Sequence, residues 1–263
     1  MAASGSQDPI ISARDLCVRY GDLEVLHGLS FEVRRGETLV VMGGSGSGKS
    51  TTLRTLVGLE KASSGQVLIN GVDISTAAAR EMDAIRKRIG LAFQGGALIG
   101  SLSVAGNIAL PLLEHTALDP STIDVMVRIK LEQVGLSGFE NYSPSQLSGG
   151  MKKRAAFARA MALDPEILFF DEPSAGLDPI SSRMLDDLIL ELRDSLGATV
   201  AVVTHELASI FAIGNNSVFL DADTKTMIAS GDPKQLRDAC PDPKVRNFLL
   251  RGELGQPAAP AEA

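Results

Sequence analysis

The sequence predicts an α/β domain with a mostly parallel β-sheet whose two faces are both covered. Two apolar segments, 38–42 and 167–170, are continuous rather than alternating, which is typical of strands buried on both sides. Helical stretches separate most of the strand-like segments, and such alternation favours a parallel sheet. At 263 residues the chain is long enough for one large domain, or for a core with a subdomain.

The strand predictions rest on apolar patterning between turn signals. Gly21 with Asp22 and Asn70 with Gly71 are typical of tight turns between strands. The last two segments are expected to close as a hairpin. The predicted strands are 10–20, 29–33, 38–42, 67–69, 89–93, 167–170, 199–203, 218–220 and 226–229.

The helix predictions rest on helical periodicity and on residues that end helices. Gly58 is expected to close the first helix. Pro111 and Pro120 are expected to break a long helical stretch, because proline has no backbone N–H to donate. The basic run from Lys152 to Arg154 is interpreted as the solvated start of a helix. The predicted helices are 50–57, 80–88, 103–138 with the two breaks, 152–163 and 181–196.

A glycine-rich loop between the strand 38–42 and the first helix has the pattern G-x-x-x-x-G-K-[ST], which predicts a phosphate-binding loop. Consecutive backbone N–H groups and a helix N-terminus attract anions, and glycines let the backbone approach phosphate closely. A glycine-rich turn without a ligand is disfavoured, since strand, loop and helix all agree. The predicted nucleotide-binding residues are Gly43, Gly44, Ser45, Gly46, Ser47, Gly48, Lys49, Ser50 and Thr51.

Two carboxylates end the apolar strand 167–170, at the edge of the sheet where ligands bind. Asp171 is positioned to hold Mg²⁺ through water together with the Ser50 hydroxyl, and Glu172 to polarise the attacking water. The alternative is a pair of helix-capping carboxylates. For this strand taken alone the capping role is favoured. In a chain that also has a phosphate loop, the catalytic role is favoured.

Composition excludes several classes of function. The net charge is −7, which does not favour nucleic-acid binding. No apolar run approaches the roughly 18–20 residues of a spanning helix, and no targeting pattern begins the chain. We therefore expect a chain that is soluble by itself and reaches a membrane through partners. Cys17 and Cys240 are expected to be free thiols in a reducing compartment, pairing being the less favoured alternative.

A second motif, Leu147-Ser148-Gly149-Gly150-Met151, resembles the signature sequence of ATP-binding cassette (ABC) proteins. From about residue 10 to 232 the chain resembles an ABC nucleotide-binding domain, with each family motif present once and in family order. This resemblance implies a P-loop NTPase fold with an N-terminal antiparallel β subdomain and an inserted α-helical subdomain at about 96–160. The flanks are expected to be a disordered N-terminus (1–9), a C-terminal extension (233–255) and a disordered tail (256–263).

The resemblance implies an ATPase that uses ATP and Mg²⁺ and works as a pair of chains. It implies that Tyr20 stacks on adenine, whereas an isolated tyrosine at a strand end is usually ordinary. His205 alone would also more often be structural. Met151 departs from the family's usual glutamine. The implied catalytic residues are Glu172, His205 and Gln94; the implied metal site is Ser50, Gln94 and Asp171; and the residues facing the partner's ATP are Ser148, Gly149, Gly150 and Asp178.

Further resemblances indicate a subfamily. The segments 93–98, 103–112 and 114–116, the basic residues after the signature, and 242–249 are similar to the ATPases of the Mla (maintenance of lipid asymmetry) and related MCE-domain lipid transporters. This implies phospholipid transport, with the chain peripheral at the cytoplasmic face of the bacterial inner membrane. The implied partners are a second copy, a permease, an MCE-domain protein and a small STAS-domain protein. Residues 95–98 are expected to line the groove for the permease, and 233–255 to contact the dimer or a partner; a plain surface helix is the alternative for that extension.

Two other functions remain open from the sequence. The nearer is the ATPase of an importer of polar solutes such as amino acids. The more distant is a soluble ABC protein of DNA repair or translation. Such proteins usually have two cassettes, long coiled coils or zinc modules, whereas this chain has one cassette and two cysteines.

Overall fold

The computed structural model describes residues 8–251. The predicted disordered ends therefore lie outside the described residues, apart from Asp8 and Pro9. The strands are β1 Ile11–Tyr20, β2 Leu23–Val33, β3 Thr38–Gly43, β4 Ser64–Ile69, β5 Val72–Asp73, β6 Ile89–Ala92, β7 Ile167–Asp171, β8 Thr199–Val203, β9 Asn216–Leu220 and β10 Met227–Gly231. The helices are α1 Lys49–Leu56, α2 Ala79–Arg86, α3 Val104–His115, α4 Pro120–Gln133, α5 Gly149–Ala160, α6 Pro179–Leu196, α7 Leu207–Ile213, α8 Pro233–Ala239 and α9 Pro243–Leu249.

The main sheet has six strands in the order β10-β9-β3-β8-β7-β6. All neighbours pair in parallel except β10, which forms the predicted hairpin with β9. Every residue of β3, β7 and β8 is buried, because helices cover one face and a second layer covers the other. The predicted α/β fold with a mostly parallel sheet is confirmed.

Alternate residues of the central strands enter two different cores. Val40 of β3 and Phe170 of β7 face the helices α3 to α6. Val41 and Phe169 face the second core, beneath the N-terminal sheet and α1. Since side chains alternate along a strand, the continuous apolar runs of the sequence are the sum of two apolar faces.

A separate antiparallel sheet, in the order β2-β1-β4-β5, forms the N-terminal layer. Asn70 and Gly71 both have positive φ angles, 50° and 77°, as the predicted tight turn requires. Strand β2 begins at Leu23 and not at residue 29, because Leu23 pairs with Tyr20 directly across the predicted turn. Much of the early half of β2 is exposed, so its sequence has less of the apolar signal of a strand.

Helix α3 corrects the prediction of a break at Pro111, which lies inside the helix. Val104, Ile108 and Leu112 are fully buried at helical spacing, and this packing outweighs the hydrogen bond that the proline cannot donate. The other predicted break is a helix start, since Pro120 is the first residue of α4 behind the capping carboxylate of Asp119.

Helix α5 begins at Gly149, three residues before the predicted start. The Ser148 hydroxyl accepts a hydrogen bond from the backbone N–H of Met151 and so caps the helix. The two glycines of the signature motif therefore form the first turn of α5. Glycine is a poor helix former, which is why the sequence pattern placed the start later.

Candidate nucleotide-binding and hydrolysis site

A cavity of about 620 Å³ opens at the carboxyl ends of four adjacent strands, β3, β8, β7 and β6. The phosphate loop follows β3, and Gln94, Glu172 and His205 follow β6, β7 and β8. Because parallel strands end at one edge of the sheet, residues distant in sequence meet there. The cavity is lined by Gly43, Gly44, Ser45, Gly46, Gly48, Lys49, Ser50, Thr51, Gln94, Glu172 and His205, with Val25, Phe248 and Arg251.

Two loop glycines are required by the chain itself. Gly43 has φ +147°, and a Cβ there would lie 2.3 Å from the carbonyl oxygen of Leu220. Gly48 has φ +91°, and a Cβ there would lie 2.5 Å from Leu26 Cδ2. Gly44 has open space around it, which leaves the backbone accessible to a bound anion. Ser47 is buried and is absent from the cavity lining, so its predicted contact with phosphate stays a prediction.

Lys49 brings a cation to the cavity. Its ammonium group donates to the carbonyl oxygens of Gly43, at 3.1 Å, and Gly44, at 2.9 Å. Burial lowers the pKa of Lys49, while the charges of Glu172 and Asp171 oppose this by favouring the protonated form. A half-buried ammonium group among backbone donors suits a triphosphate.

A candidate Mg²⁺ site lies between α1 and β7. The Ser50 hydroxyl donates to Asp171 Oδ1 at 3.1 Å, and Gln94 lines the same cavity. All three side chains offer oxygen atoms, the ligands that Mg²⁺ prefers, and the roomy cavity allows the ion to keep water ligands. The residues present therefore fit Mg²⁺, and Ser50, Asp171 and Gln94 would hold it.

Glu172 and His205 form a hydrogen-bonded pair, with Nδ1 of His205 2.8 Å from Oε1 of Glu172. Oε2 of Glu172 is buried and has no hydrogen-bond partner among the described residues. The backbone of Glu172 has φ +49° and is held by its N–H, which donates to the carbonyl of Val203 at 2.8 Å. A positive φ at a residue other than glycine is strained and is most often found at functional sites. One carboxylate oxygen is thus oriented by the histidine, while the other is buried and unpaired.

Tyr20 does not line the cavity. Its hydroxyl donates to Glu60 Oε2 at 2.8 Å, and that hydrogen bond raises the pKa of the tyrosine, an effect that the Thr51 hydroxyl opposes. Thr51 does line the cavity, so Tyr20 lies beside it at the end of β1. The side chain is 45% exposed, and its predicted contact with adenine stays a prediction.

The signature motif lines a different cavity, of about 390 Å³, which also includes Met151 and Arg154. The N–H groups of the first turn of α5 have no intrahelical acceptors, which makes this helix end suited to an anion. Asp178 lines the same cavity, but its carboxylate caps α6 by accepting from the N–H groups of Ile180 and Ser181, both at 3.0 Å. The phosphate loop and the signature motif therefore line two separate cavities of one chain.

Lys153 is a residue whose place the sequence interpretation missed. Instead of being solvated it is 9% exposed, and its ammonium group donates to the carbonyl oxygens of Ala175, at 2.6 Å, and Glu172, at 3.4 Å. Burial lowers the pKa of Lys153, and the charge of Glu172 opposes that effect. Its spacing to the buried Ala156 and Phe157, i+3 and i+4, is the signal that places it on the inner face of α5.

We expect Lys153→Met to lower kcat for ATP hydrolysis by about tenfold to a hundredfold while leaving ATP affinity unchanged. Methionine fills similar space but removes the donor to the carbonyl of Ala175, and the carbonyl of Glu172 keeps only the N–H of Ala175 at 3.3 Å, so Glu172 loses part of its support. Steady-state ATPase assays with nucleotide-binding titrations measure both quantities. Lys152→Met is the matched control, and equal kcat values for the two variants would contradict the assignment.

The described part of the C-terminal extension packs on its own chain. Val245, Phe248 and Leu249 of α9 are buried in the core, and Phe248 meets Phe219 edge to face at 5.1 Å between ring centroids. The Arg251 guanidinium lies over the Phe248 ring at 4.1 Å, and both residues line the nucleotide cavity. The predicted contact of 233–255 with a dimer mate or partner stays a prediction, and 252–255 lie outside the described residues.

Comparison with known proteins identifies the family that this chain resembles. A family model described as "ABC transporter" matches residues 26–175. The chain is 40% identical over 240 residues to the "Intermembrane phospholipid transport system ATP-binding protein MlaF" of Escherichia coli strain K12, covering 91% of this chain and 88% of that protein. It is 38% identical over 245 residues to the "Probable ribonucleotide transport ATP-binding protein mkl" of Mycobacterium leprae, covering 93% and 70%.

Solved structures agree with the fold. The ATP-binding cassette MJ0796, determined as a dimer bound to ADP and Pi, superposes with a TM-score of 0.77 at 29% identity, covering 84% of this chain and 98% of that one. CbiO1 from Clostridium perfringens, part of the ABC transporter complex cbiONQ, has a TM-score of 0.78 at 26% identity, covering 94% and 100%. With its phosphate loop, paired carboxylates and signature helix, this chain belongs to the ABC transporter family as an ATP-hydrolysing subunit.

Proposed function

We propose that this chain is the ATPase subunit of a phospholipid transporter and works as a dimer at the cytoplasmic face of a bacterial inner membrane. The observation that carries the proposal is similarity to MlaF along nearly the whole chain. Besides the Escherichia coli protein, the MlaF of Haemophilus influenzae is 40% identical over 248 residues, covering 94% of this chain and 92% of that protein. Both are named for intermembrane phospholipid transport.

The separation of the two cavities supports action as a dimer. One cavity holds Lys49, Glu172 and His205, whereas the other holds the signature turn of α5. In the proposed dimer, Ser148, Gly149, Gly150 and Asp178 of each copy face the nucleotide in the first cavity of the other. ATP then joins two chains, and its hydrolysis loosens them, which gives the assembly two states with which to drive a permease.

In the proposed hydrolysis, each side chain has a distinct task. Lys49 and the N–H groups of the loop bind the β- and γ-phosphates, and Tyr20 packs against adenine. Glu172 takes a proton from the attacking water, while His205 orients the glutamate and contacts the γ-phosphate. Mg²⁺, when bound by Ser50, Asp171 and Gln94, neutralises charge on the phosphates.

A groove of about 330 Å³ between β6, α3 and α5 is the proposed docking place for a helix of the permease. Residues 95–98, which were predicted to line such a groove, are not among its lining residues. Arg159 does line it and donates to the carbonyl oxygens of Gly96, at 3.0 Å, and Ala97, at 2.7 Å, next to the groove. Its apolar floor and charged rim suit an amphipathic helix. The residues that give it this character are Leu91, Leu110, Leu163, Arg86, Glu114 and Arg159.

No helix within residues 8–251 is long and apolar enough to cross a membrane. The proposed attachment to the membrane rests on the permease, and on the MCE-domain and STAS-domain proteins that complete the proposed assembly.

Mild-detergent purification of tagged protein from its native membranes, followed by mass spectrometry, tests the proposal. Recovery of a permease, an MCE-domain protein and phospholipid would support it. A permease with a solute-binding protein and no lipid, or with bound ribonucleotide, would overturn the phospholipid assignment.

We expect Leu110→Glu to abolish co-purification of the permease while leaving nucleotide binding intact. The substitution replaces apolar surface of the groove floor by a carboxylate, which an incoming apolar helix face would have to desolvate. Leu113→Glu is the matched control, because Leu113 lies on the same helix, is 60% exposed and does not line the groove. Retention of the permease by the Leu110 variant would refute the docking place.

A further inference from the structure

A buried line of three polar side chains runs behind the candidate hydrolysis site. The Ser209 hydroxyl donates to Asp186 Oδ2 at 2.9 Å, and the hydroxyl oxygens of Ser174 and Ser209 are 3.4 Å apart. Since the single proton of Ser209 is given to Asp186, Ser174 is the donor to Ser209. All three residues are at most 3% exposed, so solvent does not compete for these hydrogen bonds.

Each member of the line belongs to a different segment of the site. Ser174 lies two residues after Glu172, on the segment that leads to Asp178, and Ser209 lies four residues after His205, in α7. Asp186 lies in α6. The hydrogen bond between Glu172 and His205 thus joins two segments on the side of the cavity. The hydrogen bond between Ser174 and Ser209 joins the same two segments from behind, and Asp186 orients it by accepting from Ser209.

We propose that Asp186 is a positioning residue for ATP hydrolysis, which through Ser209 and Ser174 fixes the segments that carry Glu172 and His205. The proposal rests on the ATPase reaction of the family and does not depend on which cargo is transported. Asp186 does not line the cavity, so its effect is expected on the alignment of Glu172 and His205 and not on nucleotide affinity.

The ionised form of Asp186 is the form that holds the line best. A hydrogen bond to a carboxylate is roughly twice as strong as one to a neutral acceptor. Burial raises the pKa of Asp186 to about 6, against the opposing hydrogen bond from Ser209. Two neighbours of Asp186 on its own helix also act on this pKa: Asp187 raises it and Arg183 lowers it. From the elements packed against Asp186, α7 contributes the hydroxyl of Ser209 and the segment after β7 that of Ser174. The charged group from α5 is Lys153, which bonds to the carbonyl of Ala175.

The charge on Asp186 costs folding free energy. Oδ1 has no hydrogen-bond partner among the described residues, and a carboxyl group whose pKa is raised on folding favours the folded state only while it is protonated. Stability is therefore lost as the pH rises from about 4 to about 6, the window between the ordinary value and the raised value. Ionised Asp186 thus lowers the stability of the fold while it improves the alignment of Glu172 and His205. A residue that served packing alone would not combine these two effects.

The test compares full-length wild-type protein with Asp186→Asn, both purified with their native membrane partners, from pH 5 to pH 8.5. We expect the ratio of kcat values, wild type over variant, to rise from about one at pH 5 to about fivefold at pH 8, with a midpoint near 6 and with KM for ATP unchanged. Taking the ratio removes the titration of groups that both proteins share. Over the same range the melting temperature of the wild type should fall relative to that of the variant.

Three further variants make the test decisive. Asp187→Asn removes an exposed charge that raises the pKa of Asp186, so it should keep the wild-type kcat at pH 8 and move the midpoint of the wild-type profile to lower pH. Ser209→Ala, which keeps the carboxylate but breaks the line, should lower kcat at pH 8 about as much as Asp186→Asn, and Ser209→Thr should restore it. A kcat ratio that does not change with pH, or wild-type kcat in Ser209→Ala, would overturn the proposal.

Discussion

Replacing Glu172 with glutamine is expected to lower kcat for ATP hydrolysis about a thousandfold, with little change in ATP affinity. The amide keeps the shape of the side chain and its hydrogen bond to His205, but it cannot take a proton from water. ATP affinity should persist because the loop and Lys49, which bind the phosphates, are untouched. Single-turnover hydrolysis and equilibrium nucleotide binding measure the two quantities.

The same variant should accumulate as an ATP-bound dimer, which size-exclusion chromatography with light scattering detects in the presence of Mg²⁺ and ATP. Glu206→Gln is the matched control, because Glu206 also approaches His205, at 3.7 Å from Nε2, but is half-exposed and does not line the cavity. Normal turnover by Glu172→Gln would remove the proton-accepting role from Glu172. An equal loss of kcat in the Glu206 variant would show that negative charge near His205, and not proton transfer to Glu172, determines the rate.

Replacing Lys49 with alanine is expected to raise the Kd for ATP about a hundredfold and to abolish turnover. The ammonium group is the loop's own cation at the cavity, and a lost hydrogen bond between charged groups in a partly buried site costs about 1.5–3 kcal/mol. Turnover falls further, because the charge that develops on the transferred phosphoryl group loses its partner.

Isothermal titration with ATP and with ADP measures the effect and localises it. If Lys49 contacts the γ-phosphate as well as the β-phosphate, the variant should lose more affinity for ATP than for ADP. Lys234→Ala is the control for loss of one positive charge, since Lys234 is exposed at the start of α8. Unchanged ATP binding by Lys49→Ala would contradict the assignment of the phosphate loop.

Much of the main sheet was predictable, because strands buried on both faces carry an unbroken apolar signal and glycine-rich loops mark their ends. The errors fall where long-range packing overrides local preference. Pro111 is tolerated in α3 because three buried side chains hold that helix to the core. The start of α5 was misplaced because two glycines, poor helix formers, make up its first turn.

The site was predictable where it follows strand ends. Gln94, Glu172 and His205 each follow a parallel strand, so the fold brings them to one cavity with the phosphate loop. Phe248 and Arg251 were not predictable as cavity residues, because they arrive through the packing of α9 on Phe219. The pairing of Asp186 with Ser209 likewise has no local pattern, since two helices create it.

Helix α5 has a consequence for how two nucleotides in the proposed dimer influence each other. In that proposed dimer its first turn is expected to face the partner's nucleotide, while Lys153, four residues after Gly149, donates to the backbone carbonyl of its own Glu172. We therefore expect one helix per chain to couple nucleotide occupancy at one site to the position of Glu172 at the other, and thermodynamic linkage would make any such effect on binding mutual. The expected result is a steep response of ATPase rate to ATP concentration, measured as a Hill coefficient above one, that falls towards one when Lys153 is replaced by methionine.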